Sequence, residues 1–457
     1  ASAPPGPSRT TRRLLVGGAV ALLLVATAIG AWSLRDRPIT SRPPSPPPTA
    51  AGSEPQSTGD AETPVVGLDA ARVLPLLGVT VEAREPRPFD FDAEIYRSRI
   101  EGFARRFDDT VVVTRRSADF PTPAGQPLYR LRFLIAREGG TTNAYIQLIH
   151  VGDERVVRST ALVLDRSLNP AATSFTTPED LAFVRDMVQL HGAISQDLVN
   201  VPEISPELAC LTRAWNYFLD SSPQNHRDAR DCLTPLVAAN PSLVPALTML
   251  GAVYLSEYRQ NFNRLPGDPL VRAEQALRRA IRVAPASSAP YQTLQNLLLI
   301  RGDGEAAVAA GARSVQNNPD DMTAVGGHGA VLARIGRYEE AVHLLTRAAA
   351  ATDVPPKWMQ FYAFLALNNL GRTREADEQV ALFEGSTSSL YLAAAAIRAH
   401  RRGDESAAVR AIAALHEIEP TLRSDPRDFQ RRRGFADAVA DRLLVDLATA
   451  GLYRSRT

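Results

Sequence analysis

Histidine, cysteine and lysine are the side chains best suited to act as metal ligands, nucleophiles or bases, and here their spacing fits none of these roles. None of the seven histidines belongs to an H-E-x-x-H motif or stands at zinc-ligand spacing from a cysteine. The lone lysine, Lys357, lies in a Val-Pro-Pro-Lys-Trp segment that matches no phosphate-binding loop, kinase strand or pyridoxal site. The G-x-S-x-G turn of serine hydrolases is missing as well. We therefore expect no catalytic residue, no bound metal and no cofactor, and a protein that is not an enzyme.

Other polar candidates stand in glycine-rich, acidic or basic surroundings. His328 lies in a Gly-Gly-His-Gly sequence without a preceding strand, which favours close helix packing over a phosphate-binding loop. Glu339 and Glu340 stand at a predicted turn, where solvation disfavours acid–base catalysis. Residues 431–433 are three consecutive arginines, for which a solvated loop is the favoured interpretation and a lipid-headgroup or partner contact the alternative.

Cys210 and Cys232 are the only cysteines of the chain. They fall on two predicted helices of one helical hairpin. In an oxidising compartment two such cysteines often pair, so a disulfide is one interpretation. Two reduced, buried thiols are the other, and the sequence leaves both open.

Length and charge set the broad class of protein. At about 100–200 residues per domain, 457 residues correspond to two to four folded units. The 51 basic and 50 acidic residues leave a net charge of +1. Because a nucleic-acid binder normally carries a basic surface, this balance predicts no nucleic-acid partner.

Residues 14–34 form a 21-residue run without a charged side chain, which as a helix would span a hydrocarbon core of about 30 Å. They follow a short tail, residues 1–13, and precede a proline-rich linker, residues 35–64. The competing interpretation is a cleaved signal peptide, with residues 26–28 as an A-x-A cleavage site. Under both interpretations the rest of the chain is exported. The predicted location is the inner (cytoplasmic) membrane, with a single pass and the bulk of the chain periplasmic.

Residues 65–200 alternate between strand-like and helix-like hydrophobic periods, which predicts a small α/β (α+β) domain with a mixed sheet. A Gly-Asp pair at 152–153 indicates a hairpin turn between the last two strands. The predicted strands are 71–83, 110–114, 128–136, 143–151 and 155–164, and the predicted helices are 91–107 and 178–199.

Four short segments of this region carry a family resemblance. They are Val-Leu-Pro-Leu at 73–76, three valines at 111–113, Tyr-Arg-Leu at 129–131 and Gln-Leu-Ile-His at 147–150. In this order they resemble the TolB-like, or FlgO-like, N-terminal domain. The resemblance implies a module for binding or assembly rather than a catalyst.

Internal repetition is the strongest signal in the chain. An alanine recurs at spacings of 44, 34, 34, 35 and 32 residues, often five residues after a turn glycine and twelve before a proline. An insertion of about ten residues within 258–269 lengthens the first spacing. The anchoring alanines are Ala229, Ala273, Ala307, Ala341, Ala376 and Ala408.

This period of about 34 residues resembles the tetratricopeptide repeat. The resemblance implies an all-α solenoid of paired helices over residues 201–433, in which stacking buries apolar stripes that one repeat cannot bury alone. Gly251 and Gly329 are expected to allow close helix approach. Residues 434–457 read as an amphipathic helix and are predicted to cap the last repeat. The fold class is therefore mixed: a transmembrane helix, a small α/β domain and an all-α solenoid.

Such a solenoid presents the first helix of each repeat on its inner face. Projection of the repeat register places amide, aromatic and basic side chains there, a mixture suited to an extended peptide. In this prediction Phe361 is the anchor, the residue that makes the main apolar contact with the partner. The predicted partner-binding residues are Gln292, Asn296, Arg334, Trp358, Phe361, Asn369, His400 and Arg401.

The order of these segments resembles the exported half of bacterial one-component receptors, namely winged-helix regulators and class III cyclases. The chain begins at Ala1, and only 13 residues precede the predicted membrane helix. We interpret it as a membrane-anchored, periplasmic, non-enzymatic scaffold or sensor domain that binds a peptide or protein. The alternative is the sensory portion of a receptor, a transcriptional regulator or adenylate cyclase, whose output domain lies outside this chain.

Overall fold

The computed structural model describes residues 68–84, 92–113, 125–138, 141–164, 178–351 and 355–453, all within one compact unit. The predicted tail, membrane helix and linker, residues 1–64, lie outside the described residues. Within the described ranges no helix is both long enough and apolar enough to cross a membrane. The predicted location, a single-pass inner-membrane protein with a periplasmic bulk, is corrected on this finding and is not carried further.

A five-stranded mixed sheet forms the centre of the α/β domain, in the order β2-β1-β3-β4-β5. β1 pairs in parallel with β2 and β3, whereas β3, β4 and β5 pair antiparallel. The predicted hairpin turn joins β4 to β5. The strands are β1 (Leu76–Ala83), β2 (Val111–Val113), β3 (Leu128–Glu138), β4 (Thr141–His150) and β5 (Arg155–Val163).

Four helices accompany the sheet, and only one of them forms as predicted. α1 (Leu68–Val73) is helical where the first part of a strand was predicted. The predicted helix 178–199 is broken into α3 (Pro178–Val188) and α4 (Ala193–Asp197). His191 between them has a φ of 63°, which no helix continues through. α2 (Ala93–Ala104) forms as predicted.

Alternate residues of β3 bury one face of the sheet against α2. Leu131 and Phe133 are fully buried, as is Ile100 on the helix. The rings of Tyr96 and Phe133 meet edge to face, with centroids 5.3 Å apart. The period-two pattern of β3 therefore defines the core of the domain.

The helices that follow pack as hairpins, each pair joined by a turn. We call the first helix of a pair the A helix and the second the B helix. The pairs are α5 (Pro206–Tyr217) with α6 (Pro223–Ala239), α7 (Val244–Gln260) with α8 (Pro269–Val283), α9 (Ala289–Ile300) with α10 (Gly304–Asn317), α11 (Met322–Arg334) with α12 (Tyr338–Ala350), α13 (Lys357–Asn369) with α14 (Thr373–Leu382), and α15 (Ser389–Arg401) with α16 (Glu405–Ile418).

The six anchoring alanines all lie on B helices and are all 0% exposed. At two of these crossings the A helix comes close because it carries glycine there. A Cβ atom on Gly251 would lie 2.7 Å from Leu277 Cγ, and one on Gly329 would lie 2.9 Å from Leu345 Cγ. The alanine period is therefore the spacing of close helix crossings, as predicted.

The chain does not end at the last helix pair but returns along the solenoid. Residues 419–452, the C-terminal segment, contain a 3₁₀ turn (Pro420–Arg423), α17 (Pro426–Arg431) and α18 (Asp437–Thr449). α18 contacts α15, and Asn368 Nδ2 of α13 donates to Asp446 Oδ2 at 2.8 Å. A Cβ on Gly336, after α11, would lie 3.7 Å from Val439. The segment thus spans several repeats, whereas a cap on the last repeat was predicted.

The α/β domain packs against turns between repeats through the loop that follows α2. Arg106 pairs with Asp320 at 2.6 Å, and Asn318 Nδ2 donates to the Arg106 carbonyl at 3.0 Å. Ser287 Oγ donates to the carboxylate of Asp108. These contacts join the domain to the turns before α9 and α11.

Three carboxylates meet at this interface. Burial, followed by the charges of Asp108 and Asp321, raises the pKa of Asp109 to about 8. Burial raises the pKa of Asp108 to about 6, although the Ser287 hydroxyl opposes it. An aspartate whose folded pKa is raised stabilises the fold below its unfolded pKa of about 4, and this stability is lost as pH rises through the folded value.

Replacement of an anchoring alanine should damage the repeat stack. We expect Ala307→Leu to lower the free energy of unfolding by about 1–3 kcal/mol, because the added atoms overpack a fully buried crossing. Ala309→Leu on the same helix is the control, since Ala309 is exposed and its replacement should change stability by less than about 0.5 kcal/mol. Denaturant titration measures both, and equal effects would contradict the packing argument.

Asp109→Asn should stabilise the protein at pH 8 and have little effect near pH 4, because the amide stays neutral where Asp109 must ionise. Thermal melts between pH 4 and pH 8 measure the difference. Asp153→Asn is the control, for which we expect the opposite change in stability. A hydrogen bond from His150 lowers the pKa of Asp153 to about 2, so this replacement should destabilise above pH 4. An Asp109→Asn variant no more stable than the wild type at pH 8 would disprove the expectation.

Candidate partner-binding site

The eight predicted partner-binding residues lie on the A helices α9, α11, α13 and α15, as the repeat register requires. We call the surface formed by the A helices the A-helix face. Two of the eight are buried: Arg334 is 2% exposed and Phe361 is 0% exposed. The six that keep partial exposure are Gln292, Asn296, Trp358, Asn369, His400 and Arg401.

Phe361 was predicted to be an exposed anchor, and its position in the structure corrects this role. Its ring packs against Tyr362, with centroids 5.2 Å apart, and against Phe364 at 6.3 Å. It belongs to the apolar core that the last repeats share with the C-terminal segment. A partner cannot reach this ring, because neighbouring repeats and the returning chain enclose that part of the core.

The polar residues of α13 and α15 bind their neighbours within the repeats. Arg401 Nη1 donates to Asn368 Oδ1 at 2.7 Å, and its other terminal nitrogen donates to Asp377. His400 Nδ1 lies 2.7 Å from Glu405 Oε1. These side chains stabilise the repeat turns while keeping part of their surface in solvent.

Asn296 joins residues from three A helices. Its Oδ1 accepts a hydrogen bond from Arg334 Nη2 at 2.7 Å and one from Arg259 Nη2 at 3.1 Å. The register placed Asn296 and Arg334 together on the face, and the structure brings them into direct contact. Arg259, at the end of α7, was missed because it lies beside the insertion that interrupts the repeat period.

The C-terminal segment binds the A-helix face through two backbone groups and one arginine side chain. Arg334 Nη1 donates to the Arg433 carbonyl at 2.8 Å, and Ala436 N donates to the Arg334 carbonyl at 2.9 Å. Arg432 Nη1 donates to the Arg259 carbonyl at 2.6 Å. An irregular stretch of chain between two helices therefore lies on this face as a bound peptide would.

Gly434 and Phe435 fit this stretch to the face. Gly434 has a φ of +69°, and a Cβ there would lie 2.9 Å from the Leu299 carbonyl carbon. The rings of Phe435 and Tyr362 have centroids 6.3 Å apart. Only glycine satisfies both the positive φ and the close approach to α9.

The three consecutive arginines at 431–433 were predicted to form a solvated loop, and the structure separates them. Arg431 is 57% exposed, but Arg432 and Arg433 are only 13% and 11% exposed. Both pair with Glu419, at 3.0 Å and 2.6 Å. Although burial raises the pKa of Glu419, the charges of Arg433 and Arg432 outweigh it and keep this pKa below its usual value.

Cys210 and Cys232 are joined in a disulfide that links α5 to α6, with Cα atoms 5.8 Å apart. This is the pairing that the sequence left as one of two interpretations. His328 lies within α11, partly buried, in agreement with a packing role. In the described part of the chain no group of three or more His, Cys, Asp or Glu side chains could hold a metal ion.

No protein-family model and no curated protein matches the chain. Among solved structures it is similar to PilF of Pseudomonas aeruginosa, with 15% identity and a TM-score of 0.35 over 49% of this chain and 94% of that one. It is also similar to PilW, a type IV pilus biogenesis factor, with 17% identity and a TM-score of 0.35 over 49% of this chain and 96% of that one. A third similar structure is YrrB, a TPR protein with an unusual peptide-binding site, with 15% identity and a TM-score of 0.29 over 41% of this chain and 92% of that one. The structural neighbours are tetratricopeptide-repeat proteins.

Gly434→Ala should release the C-terminal segment from the A-helix face. The control is Gly371→Ala, because Gly371 has a similar φ of +72° but no atom within 4 Å of an added Cβ. Both variants carry the strain of a positive φ, and only Gly434→Ala adds a clash, which we expect to cost about 1–3 kcal/mol more. Native-state trypsin cleavage after Arg431 and Arg432 measures release. Equal cleavage rates in the two variants would contradict the role of Gly434.

Proposed function

We propose that this protein is a non-enzymatic interaction scaffold that binds an extended segment of a partner protein on its A-helix face. One observation carries the proposal: this face already holds residues 433–436 of its own chain through two backbone groups, the Arg433 carbonyl and the Ala436 amide. Carbonyl and amide groups of this kind are carried by every peptide, whereas the neighbouring Arg432 adds a side-chain hydrogen bond to the Arg259 carbonyl.

The residues left partly exposed supply the side-chain component of this recognition. Gln292, Asn296 and Asn369 carry amides that can pair with a peptide backbone, and Trp358 offers an aromatic surface. Tryptophan is among the residues that most often dominate binding energy at protein interfaces. We therefore assign the main apolar contact of the partner to Trp358 rather than to the buried Phe361.

The α/β domain supports this function from the opposite ends of the A helices. Its loop contacts the turns before α9 and α11, whereas the C-terminal segment contacts the ends of α7, α9 and α11. α9 and α11 are thus held at both ends, which fixes the position of Asn296 on α9 relative to Arg334 on α11. Preorganisation of this kind lowers the entropic cost of binding. We propose an assembly role for the domain on this basis.

Peptide selection on the full chain tests the proposed function. A phage-displayed library of random peptides should yield sequences that compete with one another for the wild-type protein. Trp358→Ala should weaken their binding about tenfold or more, because loss of a central aromatic contact typically costs about 2 kcal/mol. Calorimetric titration measures the affinities.

Val409→Ala is the matched control. Val409 is 48% exposed on the B helix α16, so its loss removes apolar surface away from the A-helix face. It should leave each affinity unchanged. If no peptide is enriched, or if Trp358→Ala binds every enriched peptide as tightly as the wild type does, the A-helix face is not the binding surface.

A further inference from the structure

Arg259 and Arg334 form a pair of like charges at the centre of the A-helix face. Both donate a terminal nitrogen to the same oxygen, Asn296 Oδ1, at 3.1 Å and 2.7 Å. The two donating nitrogens can therefore be no farther apart than these distances added together. Two guanidinium ions held this closely repel each other, and partial removal from water strengthens the repulsion.

No carboxylate neutralises this pair in the described part of the chain. Among the described residues, neither Arg259 nor Arg334 forms an ion pair, although the adjacent Arg432 and Arg433 share Glu419. Arg334 is 2% exposed and lies over the Tyr362 ring, with its Cζ 5.1 Å from the ring centroid. Arg334 also donates to the Ala330 and Arg433 carbonyls, so all these acceptors are neutral. Neutral acceptors and a cation–π contact are a weak substitute for an anion.

Arg259 donates to Asn296 through Nη2 and offers its terminal nitrogens to a further acceptor. Its Nε is buried without a hydrogen-bond partner, while the residue as a whole stays partly exposed. Burial, followed by the charges of Arg334 and Arg433, lowers the pKa of Arg259 to about 10, whereas the Tyr362 hydroxyl opposes this shift. The guanidinium is still charged at neutral pH.

We propose that Arg259 and Arg334, held together by Asn296 Oδ1, form an oxyanion-binding site on the A-helix face, whose ligand is a carboxylate side chain of the partner peptide or free phosphate. If the ligand is a peptide carboxylate, this inference rests on the proposed function. If the ligand is free phosphate, it does not. Planar guanidinium groups bind both kinds of oxyanion through paired N–H donors. The bound anion would neutralise the pair and accept from terminal guanidinium nitrogens of Arg259.

This site predicts an unusual relation between stability and binding. Arg259→Gln removes the repulsion and the unpartnered Nε, so the free variant should melt at the same temperature as the wild type or higher. The backbone contact with Arg432 uses the Arg259 carbonyl and survives the replacement. An arginine with a purely structural role would instead lower the melting temperature when it is replaced.

Arg272 provides the matched control. It is also a partly buried arginine over a tyrosine ring, with its Cζ 5.0 Å from the centroid of Tyr254. Its charge, however, is paired with the fully buried Glu257 at 2.7 Å. Arg272→Gln should therefore lower the melting temperature and leave anion binding unchanged.

Thermal melts of the full chain in sodium phosphate, compared with sodium chloride at equal ionic strength, form the first arm of the test. Phosphate should raise the melting temperature of the wild type saturably, by about 2 °C or more beyond its effect on Arg259→Gln. Arg272→Gln should respond as the wild type does. An equal phosphate response in wild type and Arg259→Gln, or an Arg259→Gln variant destabilised as strongly as Arg272→Gln, would overturn the proposal.

Peptides distinguish the two sources. A glutamate-containing peptide enriched on the wild type is compared with its glutamine counterpart, on the wild type and on Arg259→Gln. A loss of about tenfold in affinity on the wild type but not on the variant identifies the peptide carboxylate as the ligand. Equal binding of both peptides, together with the phosphate response, identifies free phosphate. Failure to enrich any peptide counts against the proposed function alone, since the phosphate arm still tests the site.

Discussion

Close contact between helices at small side chains is the constraint on which the solenoid depends. A helix pair cannot bury its own apolar stripe, so each repeat needs a neighbour at a distance that only alanine or glycine allows. At Gly251 and Gly329 a methyl group would already overlap a leucine of the paired B helix. The anchoring alanines are fully buried for the same reason. Repeats stack along the solenoid axis only, so the A-helix face takes no part in the contacts between neighbouring repeats.

In this chain the C-terminal segment covers much of that face. Phe429, Leu443 and Leu447 are almost fully buried and join the core of the last repeats. The segment combines two kinds of contact, since its helices bury apolar side chains and the stretch between them uses backbone hydrogen bonds. In the second kind, Arg433 and Ala436 take part through backbone groups, whereas Arg432 takes part through its side chain. The backbone contacts support the proposal that this face binds other extended chains.

The repeats could be predicted from the sequence because their signal is local and periodic. Alanine spacing located each B helix, and the strands 111–113, 128–138 and 155–163 differ from their predicted bounds by at most two residues at either end. The helix α1 and the break at His191 were missed, because a short buried apolar run does not distinguish helix from strand and a single positive φ leaves no pattern.

The candidate site was predictable only in part, for a different reason. The register placed Asn296 and Arg334 on the A-helix face, but it treated that face as free surface. Contacts between residues 259 and 432, or 334 and 436, join positions far apart in the chain, and hydrophobic periodicity carries no information on them. The burial of Phe361 follows from packing that spans several repeats and the returning chain, so a register of single repeats could not show it.

Charge is distributed along this face in a way that packing alone does not require. Where the C-terminal segment brings Arg432 and Arg433 under cover, it brings two carboxylates with them, since Glu419 pairs with both arginines and Asp428 pairs with Arg432. The buried Glu257 is likewise paired with Arg272. Arg259 and Arg334 depart from this rule, and they share a neutral amide instead. A buried charge left without a counter-ion lowers stability, and proteins accept such costs mainly where a ligand supplies the missing partner.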